Sequence, residues 1–179
     1  MSESVPDDSA SPSVRPPEPL CGNHELSAFD SGEASLNDWL RRRALPNEAR
    51  GASRTYVVCE HPGNRVVGYY CLAAGAATHD LAPGSVRRNM SDPVPIIVIG
   101  RLAVDRARQA EGIGRALLRD AIFRTLQAAE IAGVRAILVH ALSEDARQFY
   151  LRCGFHPSPI DPMTLMISLA EAERPMSVK

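Results

Sequence analysis

Lysine is all but missing from this chain. The only one is Lys179, so nearly all of the 20 basic residues are arginine. Arginine suits bidentate contacts to phosphate, although a general bias toward arginine codons produces the same count. Long apolar runs are missing too. The longest surrounds Ile96 to Ile99, well short of the ~20 residues that a membrane span needs. The N-terminal segment MSESVPDDSASPS has neither a basic region nor an apolar stretch, so no secretory signal and a cytoplasmic location are expected. The four cysteines, Cys21, Cys59, Cys71 and Cys153, form no C-x-x-C pair and none sits near a histidine in a zinc spacing. They read as reduced thiols, with no metal site expected.

What is present is ordinary for a globular domain. The chain has 179 residues, 45% hydrophobic and 23% charged, which supports one domain with at most a tail. That balance excludes full disorder, collagen-like repeats and coiled-coil rods. The net charge of −1 hides a division: residues 1–20 sum to −3 and the remainder to +2. Five prolines and several serines in those 20 residues leave too little apolar area to offset chain entropy. Residues 1–19 are therefore expected to be a disordered tail, 20–170 the domain, and 171–179 a C-terminal tail.

Patterning sets the order of elements. Ser35 is a plausible N-cap with Asp38 in a capping-box-like position. Leu36, Trp39 and Leu40 then follow at helical spacing, and Pro46 and Gly51 end that helix. Residues 54–60 and 65–76 flank the turn His61-Pro-Gly-Asn64 as an antiparallel hairpin. Residues 80–95 read as a loop. Residues 96–104 are almost continuously apolar, as in a strand buried on both faces. A long helix carries Leu118, Ile122, Thr125 and Ala129 on one stripe and is expected to be capped by Gly133. A buried strand at 135–140, a short helix at 143–152 stopped by Gly154, and a strand at 163–169 complete the domain. This order implies a single α/β (α+β) domain with a mixed sheet.

Gln109-Ala-Glu-Gly112-Ile-Gly114 lies between the buried strand and the long helix. Glycines there let the backbone approach a ligand. The first helical N–H groups lack intrahelical acceptors, and the helix dipole adds positive character. A pyrophosphate fits such a place, with Arg108 or Arg115 nearby; a tight turn that binds nothing fits it as well. The third glycine of a dinucleotide fingerprint is missing, and no Gly-Lys-Ser/Thr follows as in a P-loop.

The run Leu102-Ala-Val-Asp105 followed by Gln109-x-x-Gly112-x-Gly114 resembles the acyl-CoA signature of the Gcn5-related N-acetyltransferase (GNAT) superfamily. Ala146-x-x-x-Tyr150-x-x-x-Gly154-Phe155 is similar to that superfamily's second segment. Further stretches resemble its toxin branch: Phe29-Asp-Ser-Gly with Leu36-x-x-Trp39-Leu40, Gly51-Ala-Ser-Arg-Thr-Tyr-Val57, Val67-Gly-Tyr-Tyr70, Gly100-Arg-Leu-Ala-Val104, Val139-His-Ala141 and Ser158-Pro-x-x-Pro-Met-Thr-Leu165. The resemblance spans about residues 20–169. It implies a GNAT-like domain with a mixed, mostly antiparallel sheet flanked by helices and splayed at the acyl-CoA-binding strand. It implies acetyl transfer from acetyl-CoA to the α-amino group of aminoacyl-tRNA, which blocks translation. It also implies a ribbon–helix–helix antitoxin as partner and a homodimer. Carried over residue by residue, Leu102, Ala103, Val104, Gln109, Ala110, Glu111, Gly112, Ile113, Gly114, Arg115 and Ser143 become the acetyl-CoA site, and Tyr150 the general acid. Two positions depart from the pattern. Ala110 stands where the toxin branch has glycine, tolerable if its φ is negative. Ser143 stands where many members have asparagine, and its hydroxyl can cap the helix or bond a pantetheine carbonyl.

The residues themselves suit that chemistry. A tyrosine can protonate a departing thiolate, though by position alone Tyr150 could equally be core. A backbone N–H of Ala103 or Val104 is placed to polarise a thioester carbonyl. Strand 96–104 contains no Asp, Glu or His to serve as base. A lysine amine is neutral only about one part in a thousand near neutral pH, whereas an α-amino group is roughly 20–35% neutral. A site without a base therefore favours an aminoacyl substrate over a protein lysine. His140 could be a base or a satisfied strand-end histidine, and Glu144 and Asp145 read as helix-dipole partners. Arg41, Arg42, Arg43, Arg50 and Arg54 face one acid, Glu48, a local charge of +4, and Arg87 and Arg88 lie in the loop before the apolar strand. They suit tRNA phosphates, or a solvated or antitoxin-binding face. No interleaved aromatics suggest base stacking. Two other readings remain: an acetyltransferase of the same fold for a small-molecule or protein amine, and a non-catalytic acyl-CoA-binding module.

Overall fold

The computed structural model describes residues 13–174; the outer parts of both expected tails lie outside the described residues. The chain runs through β1 (Ser13–Val14), β2 (Glu18–Pro19), α1 (Ala34–Arg42), α2 (Ala44–Ala49), β3 (Arg54–His61), β4 (Val66–Ala77), α3 (Gly84–Arg87) and β5 (Val94–Val104). After a 3-10 turn at Arg106–Arg108 come α4 (Ile113–Ala129), β6 (Ala136–His140), α5 (Glu144–Arg152), β7 (His156–Pro157), β8 (Thr164–Ser168) and α6 (Leu169–Ala172). The sheet order is β1-β3-β4-β5-β6-β8-β7, with β2 also on β3. Among the named strands β5 and β6 alone pair in parallel; the other strand pairs are antiparallel, and a single parallel bridge joins Glu25 to Arg65. The mixed, mostly antiparallel sheet flanked by helices is the architecture expected.

The two faces of the sheet carry different helices. On one face α4 and α5 cover Val67, Tyr70, Ile99, Ile137 and Val139. Leu117 and Leu118 of α4 are fully buried there, and burial of one such side chain contributes about 1.5–3 kcal/mol. On the other face Trp39 and Leu40 of α1 pack on Val57, Tyr69 and Cys71, while Val86 of α3 packs on Ile96, Leu138 and Met166. Strand alternation accounts for the division: Tyr69 and Tyr70 point to opposite sides.

One irregularity matters for function. β5 pairs β4 along its length, but Cys71 is opposite Arg101 while Leu72 is opposite Ile99, so Gly100 is an extra residue. Such a bulge bends its strand. On its other edge β5 pairs β6 only over Ile96–Ile99. From Gly100 onward the two strands part, and the expected splay is a fork between β5 and β6.

Several expectations are corrected. Residues 13–19 are not a loose tail, because β1 and β2 both pair with β3. Arg15 bonds Glu18 and Asn64 there, and Glu18 receives His24. At the other end α6 runs past residue 170 behind a Ser168–Glu171 capping box. Helix α1 begins at Ala34 behind Glu33; Ser35 caps nothing and its hydroxyl bonds the Glu33 carboxylate. Pro46 does not end that helix. It sits in the first turn of α2, where its missing N–H costs no bond. Residues 84–87 of the expected loop form α3. Helix α4 stops at Ala129 with Glu130 as cap, before Gly133. Strand β5 is not buried on both faces: Ile96, Ile99 and Ala103 are buried, whereas Ile97, Val98, Leu102 and Val104 are half-buried.

Candidate active site

A cleft of about 650 Å³ opens at the fork. Its walls are Leu102 to Val104 of β5, the turn from Arg108 to Gly114, and one side of α5 carrying Ala146, Phe149 and Tyr150. The turn brings the expected glycine-loop residues Gln109, Ala110, Gly112, Ile113, Gly114 and Arg115 to this cleft. Glu111 does not line it; its carboxylate is held 2.7 Å from Arg108 Nε. Arg108 is buried and also pairs with Glu60 at 3.3 Å. It braces the turn, and Arg115 is left as the half-buried cation of the pair considered for phosphate.

The backbone of the turn is arranged for an anion. Gly112 takes φ +84° as the residue preceding α4, a conformation that suits glycine. No side chain caps the helix and no acid lies in its first turn. The first N–H groups of this 17-residue helix therefore face the cleft with the positive end of the dipole behind them. Ala110 stands at φ +65°, so the tolerance expected for a negative φ does not apply. The left-handed conformation costs a non-glycine residue about 1–2 kcal/mol. Gln109 pins the turn from both sides: its side-chain amide donates to the carbonyls of Ser31, at 3.2 Å, and Val104, at 3.1 Å.

The fork presents backbone donors as well. Asp105 donates its N–H to Val67 of β4. Alternation along an antiparallel strand then turns the amides of Val104 and Leu102 the other way, into the fork. Of the two amides considered for the thioester carbonyl, geometry selects Val104 and turns Ala103 toward β4. An uncapped helix end for a pyrophosphate, strand amides for a pantetheine and an apolar wall between them fit acetyl-CoA.

A second, smaller cavity of about 250 Å³ adjoins the cleft. Leu36, Leu102, Ala146 and Tyr150 border both. Arg101, His140 and Ser143 border only the second. Ser143 takes the capping role among its two expectations, accepting from the Ala146 N–H at 3.1 Å. Tyr150 is 7% exposed, and its hydroxyl makes no hydrogen bond among the described residues. Burial raises its proton affinity above that of an ordinary phenol, so it is a neutral O–H at physiological pH.

Sequence reading missed Ser31, Leu36, Phe149 and Arg152 on the cleft and Arg101 on the smaller cavity. Phe149 and Arg152 are one turn apart on α5 and reach the cleft together, but neither is one turn from Tyr150, so the Tyr150 motif did not point to them. Ser31, Leu36 and Arg101 carried no local signal, because chain segments far apart in sequence bring them in.

The arginines expected for nucleic acid are exposed: Arg41, Arg42, Arg43 and Arg50 around α1 and α2, Arg54 on β3, and Arg87 and Arg88 at α3. All but Arg54 lie in or beside helices on one face of the sheet, the face opposite α4 and α5; Arg54 lies in β3 itself, at an alternate position with Tyr56 and Val58 of the α4 face. Some are engaged: Arg41 donates to the Phe29 carbonyl, Arg54 pairs with Glu48 at 3.1 Å, and Arg87 donates to His79 at 3.2 Å. All four cysteines are free thiols. The fold gathers Glu18, His24 and Cys59, a triad invisible to local spacing. Both His24 ring nitrogens are used there, Nδ1 by the Cys21 N–H and Nε2 by Glu18, so the group is a hydrogen-bonded clasp on the N-terminal strands.

The family model described as "Acetyltransferase (GNAT) domain" matches residues 52–157. The tRNA-acetylating toxin of Mycobacterium tuberculosis (strain ATCC 25618 / H37Rv) is 54% identical over 148 residues, covering 83% of this chain and 88% of that protein. The crystal structure of a tyrosine-to-phenylalanine mutant of KacT superposes with a TM-score of 0.83 at 24% identity, over 89% of this chain and 97% of that one. The structure of AtaT complexed with acetyl-methionyl-tRNAfMet gives a TM-score of 0.82 at 26% identity, over 90% of this chain and 98% of that one. With its forked sheet, glycine turn and α5 tyrosine, the chain belongs to the GNAT family of acetyltransferases.

Proposed function

We propose that the protein transfers an acetyl group from acetyl-CoA to the α-amino group of aminoacyl-tRNA and so blocks translation. The observation that carries this reading is the position of Tyr150, at the boundary between a cleft suited to acetyl-CoA and a cavity open for an acceptor. The uncapped start of α4 and Arg115 hold the pyrophosphate, and the fork amides of Leu102 and Val104 hold the pantetheine. The thioester supplies an activated acetyl carbonyl, which the Val104 N–H polarises as the amine attacks. Tyr150 gives its proton to the departing sulfur.

The acceptor side supports an aminoacyl substrate. The exposed arginines around α1, α2 and α3 share a sheet face with Arg101 and His140, so a phosphate backbone lying on them leads into the smaller cavity. The 54% identical relative is named a tRNA-acetylating toxin, and AtaT was solved with acetyl-methionyl-tRNAfMet. AtaT was also solved with the C-terminus of the antitoxin AtaR. An antitoxin of the ribbon–helix–helix kind, a homodimeric state and a cytoplasmic location belong to the same reading. Among the described residues no helix is long and apolar enough to cross a membrane.

The test uses purified protein, radiolabelled acetyl-CoA and total aminoacylated tRNA, with uncharged tRNA as control. Label on charged tRNA alone supports the reading. Label on free amines or proteins, with none on tRNA from protein that binds acetyl-CoA, overturns it in favour of a small-amine or protein acetyltransferase.

A further inference from the structure

His140 closes β6 where β6 parts from β5. It is exposed and borders the acceptor cavity with Arg101 and Tyr150. Its ring is held from behind. Nδ1 lies 2.8 Å from the Thr164 hydroxyl, directly across the β6–β8 pair. The Thr164 hydroxyl in turn donates to Asp161 Oδ2 at 2.7 Å. Asp161 also accepts the Met163 N–H at 3.0 Å, and the Thr164 bond is the main cause holding its carboxyl below the ordinary range. Asp161 is therefore an ionised acceptor.

This chain of bonds decides the tautomer of the neutral ring. A threonine hydroxyl has one proton. Asp161 receives it, so the oxygen can only accept from His140. Nδ1 must carry a proton, and in the neutral imidazole Nε2 keeps the lone pair. Nε2 makes no hydrogen bond among the described residues. A side chain oriented by a threonine and a carboxylate, with its basic nitrogen unspent beside the acceptor cavity, is arranged as catalytic bases are.

We propose that His140 is a second catalytic residue, the proton acceptor for the attacking α-amino group, oriented by Thr164 and Asp161. The inference rests on the acetyl-transfer reading above. As the C–N bond forms, the amine nitrogen loses a proton to His140 Nε2. As the C–S bond breaks, its electron pair stays on sulfur, which takes the hydroxyl proton of Tyr150. The imidazolium proton then returns through solvent to the phenolate, so the products are the amide and a neutral thiol. The charged and titratable groups facing His140 are Arg101 from β5, Tyr150 from α5, Glu33 ahead of α1 and Asp161 behind Thr164.

The experiment measures kcat/KM for charged tRNA against pH in wild type, His140→Asn and Thr164→Val. Asparagine keeps a donor toward Thr164 and removes the accepting nitrogen. His140→Asn is expected to lose about 100-fold in kcat with acetyl-CoA affinity unchanged. On the acid side, wild type needs both a neutral amine and a neutral imidazole, so log kcat/KM rises with a slope approaching two; His140→Asn falls to one. Thr164→Val is expected between the two in kcat. Wild-type kcat in His140→Asn, or a uniform loss that leaves the slope at two, overturns the proposal. Wild-type label on charged tRNA reports on the substrate reading by itself. If it is absent, the same wild-type to His140→Asn ratio is read with glycinamide as acceptor. There, equal rates overturn the role of His140 and a loss with the same change of slope supports it.

Discussion

The guanidinium carbon of Arg101 lies 4.7 Å from the centroid of the Trp39 ring. Trp39 is itself stacked on Tyr69, with centroids 5.9 Å apart and planes 7° from parallel, and the Tyr69 hydroxyl donates to the Leu36 carbonyl at 2.7 Å. Helix α1 and strand β5 are thus joined through a cation on an aromatic stack. The stack holds Arg101 at the wall of the smaller cavity. Trp39→Ala is expected to cost about 3–5 kcal/mol, seen as a drop of roughly 6–20 °C in melting temperature. Arg101→Met should change stability by at most about 1 kcal/mol yet raise KM for charged tRNA while leaving KM for acetyl-CoA alone. Thermal melts and two-substrate kinetics check the pair.

Tyr150 lends its hydroxyl to no other group among the described residues. Tyr150→Phe therefore removes a proton donor and little else. A loss of about 100-fold or more in kcat is expected, with acetyl-CoA affinity within about twofold by calorimetry and an unchanged melting temperature. Near-wild-type turnover would remove Tyr150 from the chemistry.

Ala110 at φ +65° is the strained residue of the glycine turn. Replacing it by glycine relieves about 1–2 kcal/mol against roughly 0.4–1 kcal/mol of added unfolded-state entropy. The net gain of up to about 1.6 kcal/mol should raise the melting temperature by up to roughly 6 °C. Ala110→Val should lower it, since a β-branched side chain is still less suited to that conformation.

Glu18 ties the N-terminal strands to the domain. Its hydrogen bonds from Arg15, and then His24, hold its carboxyl below the ordinary value of 4.5. A depressed folded-state value means the stabilisation is present above 4.5 and fades as pH falls toward the folded value. The difference in melting temperature between wild type and Glu18→Gln should therefore be largest near neutral pH and shrink below about pH 4.5. A difference that grows on acidification would contradict the clasp.

Much of the domain was legible because its signals are local. The hairpin of β3 and β4 shows in alternating apolar residues around His61-Pro-Gly-Asn64, and α4 in its repeating stripe. The glycine turn and Tyr150 sit in short motifs whose spacing matches the family. Boundaries set by tertiary contact were not legible. The stretch 13–19 is poor in apolar residues, yet it is ordered because β3 offers it an open edge and Glu18 a partner in His24. Ser35 looked like a cap, but Glu33 precedes the helix because packing of Trp39 and Leu40 decides where α1 starts.

The residue order alone carried the resemblance to the family, through short motifs, and with it the glycine turn proposed for acetyl-CoA and the candidate acid; the turn's shape follows from glycine and a helix end. The tertiary structure decided the rest. Gly100 became a bulge only opposite Cys71, and the fork follows from it. Val104, and not Ala103, turned its amide inward because Asp105 bonds to β4. His140 acquired an unspent nitrogen only when β8 brought Thr164 and Asp161 behind it. These properties depend on which groups meet across the sheet, and hydrogen-bond direction there is set by long-range pairing that no local pattern encodes.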